Sequence, residues 1–99
     1  MARFDVCANP TGAGYLLVVQ SDLLDHLNTR MVVPLLPLAQ APQPARILNP
    51  VLAVGAESFV MATQFMAAVP SAILKEPVAS LDQRRDEIIA ALDFLMQGF

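Results

Sequence analysis

The sequence predicts a mainly β protein, in which five or six short strands form a small barrel or a strongly bent sheet and one helix follows. From residue 3 to residue 80, short aliphatic runs alternate with clusters containing proline and glycine, a pattern typical of strands joined by turns. By contrast, no proline or glycine interrupts Gln83–Gln97, so this stretch predicts a helix. Short strands at this spacing suggest a small barrel. A chain of 99 residues predicts a single domain, 1–99.

The first three strands are predicted from Arg3–Ala8, Tyr15–Gln20 and Arg30–Leu36. The first alternates apolar and polar residues, and the other two are continuous runs of aliphatic and β-branched residues. The turn cluster Asn9–Gly14 joins the first two strands into a hairpin. Pro34 lacks a backbone N–H, so we expect the third strand to lie at a sheet edge or to bend there.

The second half of the chain predicts less regular structure. Val51–Val54 and Ser58–Ala62 flank a glycine-containing turn and so predict a second hairpin. The dense prolines of Pro37–Asn49 predict an irregular arm. Thr63–Val69 suggests one helical turn, and Ala72–Leu74 suggests a last short strand.

The C-terminal helix has a predicted start, two faces and a predicted end. Asp82 is the expected N-cap, and Gly98 suits the left-handed position that ends helices. Phe99 either folds back on Phe94 to close the helix or forms a docking tip beside the terminal carboxylate. The face expected to be buried consists of Ile88, Leu92, Leu95, Met96 and Phe99. The opposite face, here called the outer ridge, consists of Asp86, Ala90, Asp93 and Gln97.

Composition indicates a chain that needs a partner. Hydrophobic residues make up 56% of the sequence and charged residues only 15%, more apolar surface than a domain of this size can hide. We therefore expect a homodimer or an obligate partner. The net charge of −3 and the scattered bases argue against direct DNA or RNA binding.

The N-terminus and the cysteine content indicate a cytoplasmic protein. The opening residues, MARFDV, lack the apolar segment of a signal peptide, and no apolar run is long enough to span a membrane. Cys7 is the only cysteine, so it has no internal disulfide partner and a reducing compartment is permitted.

Few residues carry reactive chemistry. Cys7 and His26 form either a nucleophile and its base or, as we prefer, a core thiol and a solvated loop histidine. These two side chains fall short of a zinc site, and no phosphate-binding motif occurs. Leu23 and Leu24 form an unusual apolar pair in a polar loop, either as one loop anchor with one exposed neighbour or as an apolar contact site. The residues themselves therefore predict an interaction module that is not an enzyme.

Three stretches carry a family resemblance: Val19–Leu35, Pro50–Leu74, and the C-terminal helix that ends in Gly98 plus an apolar residue. In order and spacing they resemble the CcdB family of toxins from bacterial toxin–antitoxin modules. The resemblance implies an SH3-like barrel of the CcdB and MazF/Kid type, with a small inserted sheet and one C-terminal helix, assembled as a homodimer.

The resemblance also implies a target and a regulator. Toxins of this family bind the A subunit of DNA gyrase, trap its covalent complex with cleaved DNA, and use no cofactor. The cognate antitoxin neutralises the toxin with a disordered C-terminal tail. The family's contacts come from the loop after the second strand, the outer side of the helix and the terminal tripeptide, which correspond here to Leu23, Leu24, Asp25, Asp93, Met96, Gln97, Gly98 and Phe99.

Four positions depart from the family pattern. The best-known members carry a tryptophan at the position of Gln97 and an isoleucine at that of Phe99. The family's tryptophan stacks on a gyrase arginine, and an amide cannot supply that cation–π energy of roughly 0.5–2 kcal/mol. The outer ridge is also more acidic here, because Asp86 and Asp93 stand where amides are typical.

Two alternatives remain open. One is an endoribonuclease toxin of the MazF/Kid type on the same barrel, which requires basic and acid–base groups in a dimer groove. Six scattered bases and a net charge of −3 disfavour it. The other is a diverged module that binds the antitoxin without acting on gyrase.

Overall fold

The computed structural model describes residues 1–41 and 43–98, and in this part of the chain it contains seven strands and one α-helix. Several short 3-10 turns connect these elements. In chain order the elements are β1 (Asp5–Ala8), β2 (Tyr15–Val18), β3 (Thr29–Pro37), β4 (Val51–Val54), β5 (Glu57–Met61), β6 (Ala67–Pro70), β7 (Ala79–Ser80) and α1 (Arg85–Gln97).

All seven strands belong to one antiparallel, nearly closed, barrel-like sheet. Its order is β4-β5-β3-β2-β1-β7, and β6 pairs with β3 beside this path. The predicted hairpins are both present: Val6 lies opposite Leu17 in β1–β2, and Leu52 lies opposite Phe59 in β4–β5. The mainly β barrel with one C-terminal helix is therefore confirmed. The inserted part takes the form of the β4–β5 hairpin, which joins the barrel through β3.

Strand β3 is central, which excludes the sheet edge, one of the two alternatives predicted from Pro34. It pairs with β2 on one side, and on the other side its first half pairs with β6 and its last residues with β5. The change of partner falls between Val32, opposite Ala67, and Leu35, opposite Met61. Pro34 sits in this gap, where its missing N–H interrupts no ladder, and its carbonyl accepts the Ala62 N–H at 2.9 Å.

Two predictions between the second hairpin and the helix were wrong. Only Thr63–Phe65 forms a helical turn, of the 3-10 type, and Ala67–Pro70 is strand β6 rather than its continuation. Ala72–Leu74 is not a strand, because Ser71–Ile73 forms another 3-10 turn, and the last strand lies later, at Ala79–Ser80.

The helix starts later than predicted. Asp82–Arg84 forms a 3-10 turn and Arg84 is the N-cap of α1, so the assignment of Asp82 as N-cap was wrong. The Asp82 carboxylate instead accepts a hydrogen bond from Arg85 in a salt bridge. Gly98 ends the helix with a positive φ of 81°, and its N–H donates to the Phe94 carbonyl at 2.9 Å, as predicted.

The main core lies between the inner face of the sheet and α1. Ile88 and Ala91 of the helix are fully buried there, together with residues of β1 to β5. Met96 was predicted to be buried and is 72% exposed, so the buried side of the helix is narrower than its apolar pattern suggested. A second, smaller cluster on the other face of the sheet contains Leu16, Val18 and Val32. No helix of residues 1–41 and 43–98 is long and apolar enough to cross a membrane.

Candidate partner-binding surfaces

The β2–β3 loop, Ser21–Asn28, projects from the barrel with every residue exposed. Asp22–Leu24 forms a 3-10 turn, and the Ser21 hydroxyl accepts the Leu23 N–H at 3.2 Å. The side chain of Leu23 is 87% exposed and that of Leu24 is 44% exposed. Neither leucine anchors the loop by burial, so the apolar contact site is the alternative that stays a prediction for this pair.

Side-chain hydrogen bonds hold this loop in shape. The Gln20 amide nitrogen donates to the carbonyls of Leu24 and Thr29, each at 3.1 Å. Arg30 donates from Nη1 to the Leu27 carbonyl at 2.6 Å and from Nη2 to the Asp25 carbonyl at 2.7 Å. The loop therefore has a defined conformation although it contributes no side chain to a core.

Arg30 is a buried cation, only 9% exposed. All three of its side-chain hydrogen bonds go to backbone carbonyls, the third to Thr29 at 2.9 Å. In the described part of the chain, salt bridges join only Arg84 to Glu87 and Arg85 to Asp82. The charge of Arg30 is thus balanced by carbonyl dipoles alone.

The outer ridge and the end of the helix form the second exposed surface. Asp86, Ala90, Asp93 and Gln97 are all exposed, as the sequence predicted. Met96 and Gly98 are also exposed beside them. Phe99 lies outside the described residues, so the choice between cap and docking tip stays a prediction.

The loop and the helix do not pack against each other as neighbouring elements within the described residues. Helix α1 contacts the 3-10 turns at Thr63–Phe65 and Asp82–Arg84, whereas the loop is bonded to Arg3, Gln20 and Arg30. The predicted contact residues thus occupy two separate exposed surfaces of one chain.

A groove that the sequence did not reveal lies between the arm and the helix. It has a volume of about 260 Å³ and is lined by Ile47, Pro50, Glu87 and Ala90. Arg84 donates to Glu87 at its rim, and this hydrogen bond lowers the pKa of the Glu87 carboxyl. Ile47 has a positive φ of 71°, an uncommon conformation for a β-branched residue.

Cys7 and His26 occupy different environments. The Cys7 thiol is fully buried in β1, and its burial raises its pKa, so at neutral pH it stays protonated. His26 is exposed in the β2–β3 loop. The preferred interpretation, a core thiol and a solvated histidine, agrees with this placement. No group of three potential metal ligands occurs among residues 1–41 and 43–98.

Comparison with known families agrees with the barrel fold and its C-terminal helix. The family model described as "CcdB protein" matches residues 3–98. The chain belongs to the CcdB family. CcdB membership supports the coarser functional prediction, a toxin of a toxin–antitoxin module.

A solved structure shares the fold of this CcdB-family chain. An endoribonuclease in complex with its cognate antitoxin, from a mycobacterial species, superposes with a TM-score of 0.77 at 15% sequence identity. The match covers 97% of this chain and 94% of that one. At this identity the likeness establishes a shared barrel and nothing about shared activity.

Proposed function

We propose that this chain is a toxin that binds the A subunit of DNA gyrase and traps the complex of gyrase with cleaved DNA. One observation carries the proposal beyond family membership. Every predicted contact residue that the structure describes is exposed to solvent: Leu23, Leu24, Asp25, Asp93, Met96, Gln97 and Gly98. Leu23 and Leu24 are adjacent exposed apolar residues in a polar loop, and an apolar patch rimmed by polar residues marks an interaction site.

The toxin acts by binding and is not an enzyme. The protonated, buried thiol of Cys7 is a poor nucleophile, and His26 stands in water apart from it. The exposed surfaces instead offer apolar side chains flanked by carboxylates. Such surfaces suit recognition of another protein.

The cognate antitoxin is the second proposed partner. CcdB-family membership and the neighbour's complex with its own antitoxin support this assignment. We expect a disordered C-terminal tail of the antitoxin to fold onto the toxin when it binds. The entropy cost of ordering that tail then lowers the net affinity.

The endoribonuclease alternative has the shared barrel in its favour. The basic residues of this chain argue against it. Arg30 is buried, Arg84 and Arg85 are in salt bridges, and Arg3 donates to the Val19 carbonyl. Among residues 1–41 and 43–98, this leaves Arg46 and Lys75 as the exposed bases without such contacts. Two separate charges make a weak site for an RNA backbone.

A binding titration against the dimerisation domain of the host's gyrase A subunit tests the proposal. L23A removes the anchor of the β2–β3 loop, and M96A truncates the exposed methionine at the helix end. We expect each change to weaken the affinity by about 1–3 kcal/mol, or roughly fivefold to 150-fold.

V78A is the matched control for these variants, because Val78 is also an exposed aliphatic residue, at 57%, but lies on neither surface. Its affinity should equal that of the unaltered chain. Equal losses in all three variants, or no binding by the unaltered chain, would refute the proposed surface.

A further inference from the structure

We infer that Arg30, helped by Gln20, is the positioning residue that presents Leu23 to the partner. Arg30 itself is buried and does not reach a partner. It acts through the backbone of the β2–β3 loop. The identity of the partner rests on the proposed function, whereas the positioning of the loop does not.

Besides hydrogen bonds within the loop and the bond from the Arg3 N–H to the Asp22 carboxylate, the loop is held by side chains from its flanking strands. All of its residues are exposed, so no side chain of the loop packs into a core. Its ends and its middle are joined by two side chains from the flanking strand regions: Arg30 holds the carbonyls of Asp25 and Leu27, and Gln20 holds that of Leu24. Gln20 is itself fixed, because its Oε1 accepts the Met31 N–H at 3.1 Å.

The energetics of Arg30 point to positioning rather than to stability. A buried cation without a carboxylate contributes little to folding, because its desolvation cost offsets its hydrogen bonds. Its Nε is buried and has no hydrogen-bond partner among the described residues. The hydrogen bonds to the Asp25 and Leu27 carbonyls are only partly buried, so water can reach these carbonyls once the guanidinium is removed. Removing Arg30 should therefore release the loop and leave the barrel folded.

A fixed loop strengthens binding by Leu23. The 3-10 turn that carries Leu23 ends in the segment that Arg30 holds. An anchor that is already in its bound conformation avoids the entropy cost of ordering a loop on association. Part of the affinity that Leu23 provides for the partner therefore depends on Arg30.

The first test measures loop order directly by amide hydrogen exchange in R30M. The probes are the amides of Leu24, Asp25 and Leu27, which bond to carbonyls inside the loop, and the amide of Leu92 in α1 serves as the reference. We expect loop exchange to accelerate about tenfold while Leu92 is unchanged. Unchanged loop exchange, or equal acceleration in the loop and the helix, overturns the inference.

Two further variants secure this test. R30K retains the charge but offers one ammonium in place of the forked guanidinium, so we expect intermediate loop exchange. R46M removes an exposed arginine of the arm and should leave loop exchange unchanged. If R30M fails to fold, Q20L takes its place, because it removes the amide that holds the Leu24 carbonyl.

The second test asks whether Arg30 acts through Leu23. Gyrase-dependent linearisation of plasmid DNA is titrated with the unaltered chain, R30M, L23A and the double variant. We expect R30M alone to raise the required concentration by about tenfold and to add less than about twofold in the L23A background. Equal losses in both backgrounds overturn the inference. If the unaltered chain linearises no DNA, the proposed function fails, and hydrogen exchange alone decides on the positioning role.

Discussion

The side-chain amide of Asn49 is buried where the arm returns to the sheet. Its Nδ2 donates to the Met61 carbonyl at 3.0 Å and to the Gln64 side chain at 2.7 Å, and its Oδ1 accepts the Ala45 N–H at 3.0 Å. Like Arg30, it was not identified from the sequence, because a single polar residue in a proline-rich stretch looks like any solvated loop residue. Only the folded structure shows which backbone carbonyls, distant in sequence, need a hydrogen-bond donor.

The exposed residues of the site were easier to predict at this scale. A paired leucine in a polar loop and a polar ridge on an amphipathic helix both stand out against their neighbours in the sequence. Leu23 and Asp93 are accordingly exposed where the sequence placed them. Met96 is the exception, since apolar character alone could not show that the core ends before it.

The burial of Cys7 leads to a prediction about its reactivity. Its thiol is inaccessible and its pKa is raised above 9.0, first by desolvation and then by the nearby Asp5 carboxylate. Labelling by an aromatic disulfide at pH 8 should therefore be at least about a hundredfold slower than in denaturant. A fast reaction of the folded chain would contradict the burial.

The raised pKa of Cys7 also predicts how the free energy of unfolding changes with pH. A folded-state pKa above the unfolded value means that the thiol's contribution is fully present below pH 9.0 and is lost as the pH rises through the folded-state pKa. We expect C7A to be less sensitive than the unaltered chain to alkaline unfolding above that pH. Urea titrations at pH 7 and pH 10.5 measure the difference.

At the scale of elements, runs of aliphatic and β-branched residues predicted the strands that consist of them. Tyr15–Val18, Thr29–Pro37 and Val51–Val54 consist mainly of aliphatic and β-branched residues, and each was predicted to within two residues of its ends. Strand β6, Ala67–Pro70, could not be predicted this way, because its two alanines and terminal proline have low β propensity. It is a strand because the first half of β3 supplies it with a partner.

Two glycines with positive φ differ in what surrounds them, which gives a prediction about stability. A Cβ on Gly14, with φ 86°, would lie 2.1 Å from the Leu35 carbonyl oxygen of β3. A Cβ on Gly55, with φ 62°, would meet nothing within 4 Å. We expect G55A to cost about 1 kcal/mol of unfolding free energy through backbone strain alone, and G14A to cost more than about 3 kcal/mol.

Chemical denaturation of the two glycine variants measures these free energies. G55A is the matched control, because it carries the same substitution at a positive φ without the close approach. Equal losses in the two variants would contradict the contact between Gly14 and β3.

At the scale of the whole molecule, composition and fold together predict a dimer. The single chain leaves large apolar side chains exposed on several elements, in agreement with its mean hydropathy of +0.53. Sedimentation equilibrium at micromolar concentration should give about twice the chain mass of 10.7 kDa. A mass of one chain at that concentration would contradict the prediction. Among residues 1–41 and 43–98, the exposed large apolar residues are Met1, Leu23, Leu24, Leu27, Leu38, Ile47, Val51, Phe65, Val78 and Met96.

The family's target could be inferred from the sequence, but the effect of its departures could not. Gln97 is exposed at the helix end, where the best-known relatives carry a tryptophan. The fold allows a contact there and does not set its strength. Activity on gyrase therefore has to be measured.

The most direct measurement is a gyrase cleavage assay with the purified full chain, the host's own gyrase and supercoiled plasmid. A variant that lacks Gly98 and Phe99 runs beside it. We expect linear DNA to accumulate with the full chain and at least about tenfold less with the truncated one, because the proposed gyrase contact includes the helix end. Absence of linear DNA with the full chain would contradict gyrase poisoning, and equal cleavage by both chains would remove the helix end from the mechanism.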